Sequence, residues 1–135
     1  MKKLSYTFVI VLALFIYACN KTSESEIFKL LTTPTWTSDS LLANGKDASG
    51  TGELLANFKG DAKFSSNGTG TFGKYTGKWS LDEAQTEITI ITDSLAFPIV
   101  CDIVELTTAS LKITTVVPDK TTMQPIDIRM TFKAK

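Results

Sequence analysis

AKFSSNGTGTFGKYTGKWSL, running from Ala62 to Leu81, has the period of β-strands rather than of a helix. Ala62, Phe64, Gly70 and Phe72 share one parity, while Lys63, Ser65, Thr69 and Thr71 share the other, so one face is apolar and the other polar. Ser66-Asn67-Gly68 has the composition of a three-residue hairpin loop with Gly68 left-handed. That register sets Phe64 opposite Gly70 and Phe72 opposite Ala62, and each large ring then meets a small neighbour on its own face. A second tight turn is expected near Thr76-Gly77. It leads into Lys78-Trp79-Ser80-Leu81, with Trp79 and Leu81 on a common face, and a meander of short antiparallel strands begins.

The pattern continues downstream. Asp82-Glu83 marks a turn, and residues 86–92 form a strand with Ile88 and Ile90 on one face and Ile91 on the other. Residues 97–106 carry apolar side chains of both parities, which requires burial on both faces or a bulge that switches faces. Leu111, Ile113 and Val117 alternate with polar residues, Val116 being the exception. Ile126, Ile128, Met130 and Phe132 alternate without a break with Asp127, Arg129, Thr131 and Lys133. Upstream, Trp36 opens a first strand over residues 35–41. Asn44-Gly45, Gly50 and Gly52 punctuate residues 43–52, a candidate lid or partner-binding loop, and residues 54–58 fit a helical turn or a short strand. The count is about eight short strands, the pattern of an antiparallel barrel or sandwich. No long helix is available for crossovers, so a parallel sheet is excluded.

Composition excludes several functions. The chain has 135 residues, 43% hydrophobic and 21% charged, enough for one domain and a short appendage. Its 14 basic and 14 acidic residues cancel, and no basic face for nucleic acid is present. Histidine is absent, which removes the commonest general base and transition-metal ligand and leaves the serines and Cys101 without an activating partner. Gly68-Thr69-Gly70-Thr71-Phe72-Gly73 fits G-x-G-x-x-G, but no helix opens at its last glycine as a dinucleotide site requires. Adjacent acids Asp82 and Glu83 point apart on a strand end. No catalytic residue, metal ligand or cofactor site is assigned, and Cys101 reads as a small core residue.

The N-terminus carries an export signal. Met1-Lys2-Lys3 is basic, residues 4–18 are apolar apart from Ser5 and Thr7, and Cys19 follows at once. An apolar run of 15 residues falls short of the ~20 that a spanning helix needs. Ile16-Tyr17-Ala18-Cys19 resembles the lipobox of bacterial lipoproteins, in which the cysteine is lipidated and becomes the new N-terminus; Tyr17 stands where that pattern has a small residue. The resemblance implies a signal peptide over residues 1–18, a lipidated Cys19 and a membrane attachment that Cys19→Ser removes, two or three acyl chains being enough for stable anchoring. Asn20 is not the aspartate that retains such lipoproteins in the inner membrane, so outer-membrane delivery is expected, on the periplasmic or the cell-surface face. Residues 19–26 are a polar tether. Ser23 and Glu26 fit a capping box ahead of Ile27-Phe28-Lys29-Leu30-Leu31, so a short helix is expected that ends before Pro34 and closes one end of a barrel.

Taken in order, these segments resemble the lipocalin-like domain lipoproteins of Gram-negative bacteria. The elements that carry the resemblance are Trp36, Phe64 with Asn67-Gly68, Gly77-Lys78-Trp79-Ser80-Leu81, the strand at residues 86–91, Ile103 through Leu106-Thr107 to Leu111 and Ile113, and the strand at residues 128–132. It implies an all-β, small up-and-down barrel over residues 27–135 that is non-catalytic and binds a small apolar ligand or an envelope protein. Pro34 stands where lipocalins of the carrier type have a glycine. The alternative is a β-sandwich that binds glycans or acts in adhesion, which exposed aromatic rings would favour. By parity Phe64, Phe72, Trp79, Leu81, Ile88, Ile90, Leu111, Ile113, Ile128, Met130 and Phe132 all compete for the interior, which is therefore expected to be mostly filled. Trp36, Phe72 and Trp79 are the candidate ligand contacts, with a shallow mouth beside the two tryptophans. From the same resemblance, Arg129 is expected to face outward or lie at the barrel end, in a cation–π contact with Trp36.

Overall fold

The opening hairpin folds in the expected register. In the computed structural model, which describes residues 25–135, Phe64 pairs with Gly70 and Ala62 with Phe72. Gly68 is left-handed at φ 87°, and its N–H closes the loop onto the Ser65 carbonyl at 3.0 Å. The second turn falls earlier than expected. It is Gly73-Lys74, between paired Phe72 and Tyr75, and Gly73 supplies the positive φ of 62° that starts it. Thr76 and Gly77 lie inside the following strand.

The elements in chain order are α1 (Glu26–Thr32), β1 (Trp36–Ala43), β2 (Lys46–Asp47), a 3₁₀ turn (Ala56–Phe58), β3 (Asp61–Phe64), β4 (Thr69–Phe72), β5 (Tyr75–Leu81), β6 (Glu87–Thr92), β7 (Ile99–Leu106), β8 (Ser110–Pro118) and β9 (Pro125–Ala134). From β3 onward each strand pairs antiparallel with the next, β1 pairs with β3, and β1 also pairs with β9. The sheet therefore closes on itself as an eight-stranded barrel, and the two-residue β2 is a side hairpin on β1. Closure corrects the sandwich alternative.

Two bulges let the sequence keep its apolar residues inside. β7 shifts register between Ile103 and Glu105, so Cys101 and Ile103 face inward before the shift and Leu106 after it. This resolves the mixed parity of residues 97–106 in favour of a bulge. A second shift between Ser38 and Ser40 turns both Trp36 and Leu41 inward from one strand. Trp36, Phe64, Ile88, Cys101, Leu111 and Ile113 are essentially inaccessible, and Phe72, Trp79, Ile90, Ile128, Met130 and Phe132 complete the filled interior. Each such large apolar side chain contributes about 1.5–3 kcal/mol by its burial.

The short helix starts at Glu26, one residue before the expected domain boundary, and its N-cap is Ser25, whose hydroxyl accepts from the Phe28 N–H at 3.1 Å. The expected cap, Ser23, lies outside the described residues. α1 ends at Thr32, ahead of Pro34, and touches β3 and β7. Those strands stand four places apart in the ring of eight, so a helix that reaches both crosses the barrel end. The expected plug is present. Residues 43–52 are the β1–β2 hairpin and its exit rather than a long loop, and residues 54–58 take the helical-turn alternative. No helix among the described residues is long and apolar enough to cross a membrane.

Candidate functional site

The interior is built from aromatic rings that the first half of the barrel brings together. Trp79 meets Phe64 edge-on at 5.5 Å between centroids, and Phe64 meets Phe72 edge-on at 5.3 Å. Phe28 of α1 lies over Trp79 at 5.6 Å. Two of the three sequence-expected ligand contacts, Phe72 and Trp79, therefore share one cluster through Phe64. Trp36 sits beside them on β1, opposite Ala62, which itself opposes Phe72.

Both indoles are fixed by backbone carbonyls. Trp36 Nε1 donates to the Leu31 carbonyl at 3.0 Å and Trp79 Nε1 to the Ser65 carbonyl at 2.9 Å. Lys63 Nζ reaches from β3 to the end of α1 and donates to the carbonyls of Thr32 at 2.7 Å, Pro34 at 3.1 Å and Thr33 at 3.2 Å. An ammonium thus satisfies the last carbonyls of the plug and the chain just after it. The shallow mouth expected beside Trp36 and Trp79 is corrected by this arrangement, because α1 seals that end.

The Arg129 expectation divides. Arg129 is exposed, as expected, but it opposes Leu42 while Trp36 opposes Ala134. Six residue steps along β1 separate the two positions, about 20 Å of strand, and Trp36 faces inward. The cation–π contact does not form; at this place the Leu31 carbonyl and Lys63 do the fixing.

At the opposite end, residues 48–58 fold back over the barrel with Ala48, Leu55 and Phe58 buried. Phe58 packs on Tyr75 at 4.8 Å, and Tyr75 is half-buried in the wall. Beneath lies Thr92, paired with Gly77 and 5% exposed. Its hydroxyl is buried without a hydrogen-bond partner among the described residues. Cys101 is fully buried and inert; burial, with a smaller contribution from the charge of Asp102, pushes its thiol pKa up to about 12.

A second feature escaped the sequence reading. A depression of about 600 Å³ opens on the outer wall, lined in part by Leu42, Val100, Asp102, Val116, Asp127 and Arg129. Register explains its composition: Leu42 opposes Arg129, Arg129 opposes Thr114 and Thr114 opposes Asp102, a row running outside four strands. Val100 and Val116 are about half exposed in it, at 47% and 60%. The exceptional parity of Val116 was the signal.

No protein-family model matches the chain, and no curated protein matches it by sequence. Solved structures do match. Bovine odorant binding protein in complex with a selenium-containing odorant superposes with a TM-score of 0.54 at 15% identity, over 86% of this chain and 76% of that one. The same bovine protein with its natural ligand gives 0.54 at 16% identity, over 86% and 77%. Its complex with undecanal gives 0.53 at 16% identity, again over 86% and 77%. The likeness shows the fold: this is a lipocalin-type barrel, and the neighbours that share it are binding proteins.

Proposed function

We propose that the chain is a non-catalytic lipoprotein of the outer membrane, anchored through Cys19, whose barrel binds a small apolar ligand. The observation that carries the binding reading is the placement of the rings. Of the nine aromatic side chains among the described residues, only Phe97 is exposed; the others are buried or half-buried. Glycan recognition stacks sugars on exposed rings, so the adhesion alternative loses this support together with its sandwich. Trp36, Phe72 and Trp79 are the aromatic contacts proposed for the ligand. The filled interior restricts it to a small molecule, and the Thr92 hydroxyl, without a partner among the described residues, offers a single polar contact near the end opposite α1. The bovine neighbour's undecanal supports an apolar ligand of that general kind.

The anchor rests on residues 1–19, which lie outside the described residues, and on their resemblance to a lipoprotein signal. Six residue steps separate Cys19 from the helix cap Ser25, at most about 20 Å of extended chain. A lipidated Cys19 therefore holds the sealed end of the barrel near the membrane. Labelled palmitate is expected in the wild-type chain and not in Cys19→Ser; equal incorporation in both sinks the lipoprotein reading. Native mass spectrometry of the purified protein tests the binding reading, with a co-purifying small apolar molecule as the expected result.

A further inference from the structure

We infer that the ligand is an uncharged molecule with a single oxygen at the end of a short hydrocarbon chain, an aldehyde or an alcohol, and that Thr92 selects it by pairing with that oxygen. The inference rests on the apolar-ligand reading above and adds to it the chemical class of the ligand and the residue that sets the class.

Thr92 follows Ile88 and Ile90 on the inward face of β6 and is 5% exposed. Among the described residues its hydroxyl is the one buried side-chain polar atom without a hydrogen-bond partner. An unpaired hydroxyl in an apolar interior costs stability, and valine has the same shape without that cost, so the fold alone does not explain the hydroxyl. Other hydroxyls at this end are engaged. Thr115, which faces inward in step with Ile113, donates to the Val100 carbonyl at 2.7 Å, and the Tyr75 hydroxyl accepts from Asn57 Nδ2 at 3.4 Å.

The surroundings of Thr92 connect it to the aromatic cluster. It stands opposite Gly77, which presents no side chain, and Gly77 stands opposite Gly70, over which the Phe72 ring folds. Trp79 is the next inward-facing residue after Gly77. The hydroxyl thus borders two of the proposed ligand contacts, Phe72 and Trp79, with only a glycine between. Access is from the end opposite α1. Cys101, Ile113 and Ile128 are buried, whereas Ile99, Val117 and Ile126, which face the same side nearer that end of the same three strands, are only half-buried.

Charge decides the class. Among the described residues no charged side chain faces inward at this end: Ala43, Tyr75, Ile99, Val117 and Ile126 take the inward positions, and the nearby Lys74, Asp93 and Asp127 are exposed. A carboxylate or an ammonium group bound here would lose its hydration without gaining a counter-charge, and a pure hydrocarbon would leave the hydroxyl unpaired. One neutral oxygen meets both conditions.

Equilibrium dialysis of hexane, hexanal and hexanoate against the full chain at neutral pH tests this, with Thr92→Val and Thr92→Ser purified alike. The wild type is expected to hold hexanal about five- to tenfold more tightly than hexane, the ratio that one net hydrogen bond supplies, and to hold hexanoate more weakly than hexanal. Thr92→Val should lose that ratio while binding hexane as well as the wild type does, and Thr92→Ser should keep it. A residue that only shaped the fold would change all three ligands together. The same ratio of hexanal to hexane in the wild type and Thr92→Val, or hexanoate bound as tightly as hexanal, overturns the inference and leaves the apolar-ligand reading standing. Binding of none of the three by the wild type overturns both.

Discussion

Trp36 Nε1 donates to the Leu31 carbonyl at 3.0 Å with both residues fully buried, so the first strand of the barrel is bonded to the helix that seals it. Lys63 completes the junction by taking three carbonyls at and just beyond the helix end. Replacing Lys63 by Met keeps the aliphatic stem and leaves those carbonyls to water. The expected cost is about 1–2 kcal/mol in urea unfolding, with faster hydrogen exchange confined to α1. Unchanged exchange in α1 would show that the lysine does not hold the plug.

Gly77 is required by close approach. A Cβ there would collide with the Ile91 carbonyl of the neighbouring strand and lie 3.0 Å from Thr92 Cα. Gly77→Ala must push β5 from β6 and should cost about 1–3 kcal/mol or more. A variant as stable as the wild type, measured by thermal unfolding, would contradict this packing.

Thr92→Val removes the buried hydroxyl that has no hydrogen-bond partner among the described residues and keeps the branched shape. Since an unsatisfied buried polar group costs about 1–3 kcal/mol, the variant is expected to gain about 1 kcal/mol in the ligand-free protein. A loss of stability would show that an ordered water or ligand already satisfies the hydroxyl.

Acid should loosen the turns. The N–H groups of Glu87 and Thr86 hold the Asp82 carboxyl below the ordinary carboxylate range, Lys135 does the same for Asp61, and the N–H groups of Thr122 and Thr121 for Asp119. Folded-state pKa values depressed in this way give stability that is present above the unfolded value near 4 and is lost as pH falls through the folded values. The urea midpoint is therefore expected to be flat from neutral pH to about 5 and to fall below about 4. Asp82→Asn should flatten part of that fall.

Much of this fold was legible in short-range pattern. Strict alternation in Ile126, Ile128, Met130 and Phe132, and the Asn67-Gly68 loop, fix local register because side chains alternate with period two. What pattern could not place were features set by neighbours distant in sequence. Gly77 reads as a turn glycine until Ile91 is seen against it, and the true turn falls at Gly73. Closure of β1 onto β9 distinguishes barrel from sandwich, yet it joins residues about ninety positions apart. The outer depression assembles Leu42, Val100, Val116 and Arg129 from four strands, and only the misplaced parity of Val116 hinted at it. The candidate contacts Trp36, Phe72 and Trp79 were legible as inward residues, whereas the end of the barrel sealed above the tryptophans was not.

The claim that the barrel takes only a small apolar ligand is tested most directly by following tryptophan fluorescence of the barrel, residues 25–135, during two titrations. Trp79 lies within the interior aromatic cluster and Trp36 beside it, so occupancy near them changes the emission. A short-chain aldehyde is expected to give saturable, stoichiometric quenching, and a long-chain fatty acid no saturable change. Saturable, stoichiometric quenching by the fatty acid at micromolar concentration would contradict the filled interior, and no response to either would contradict the ligand.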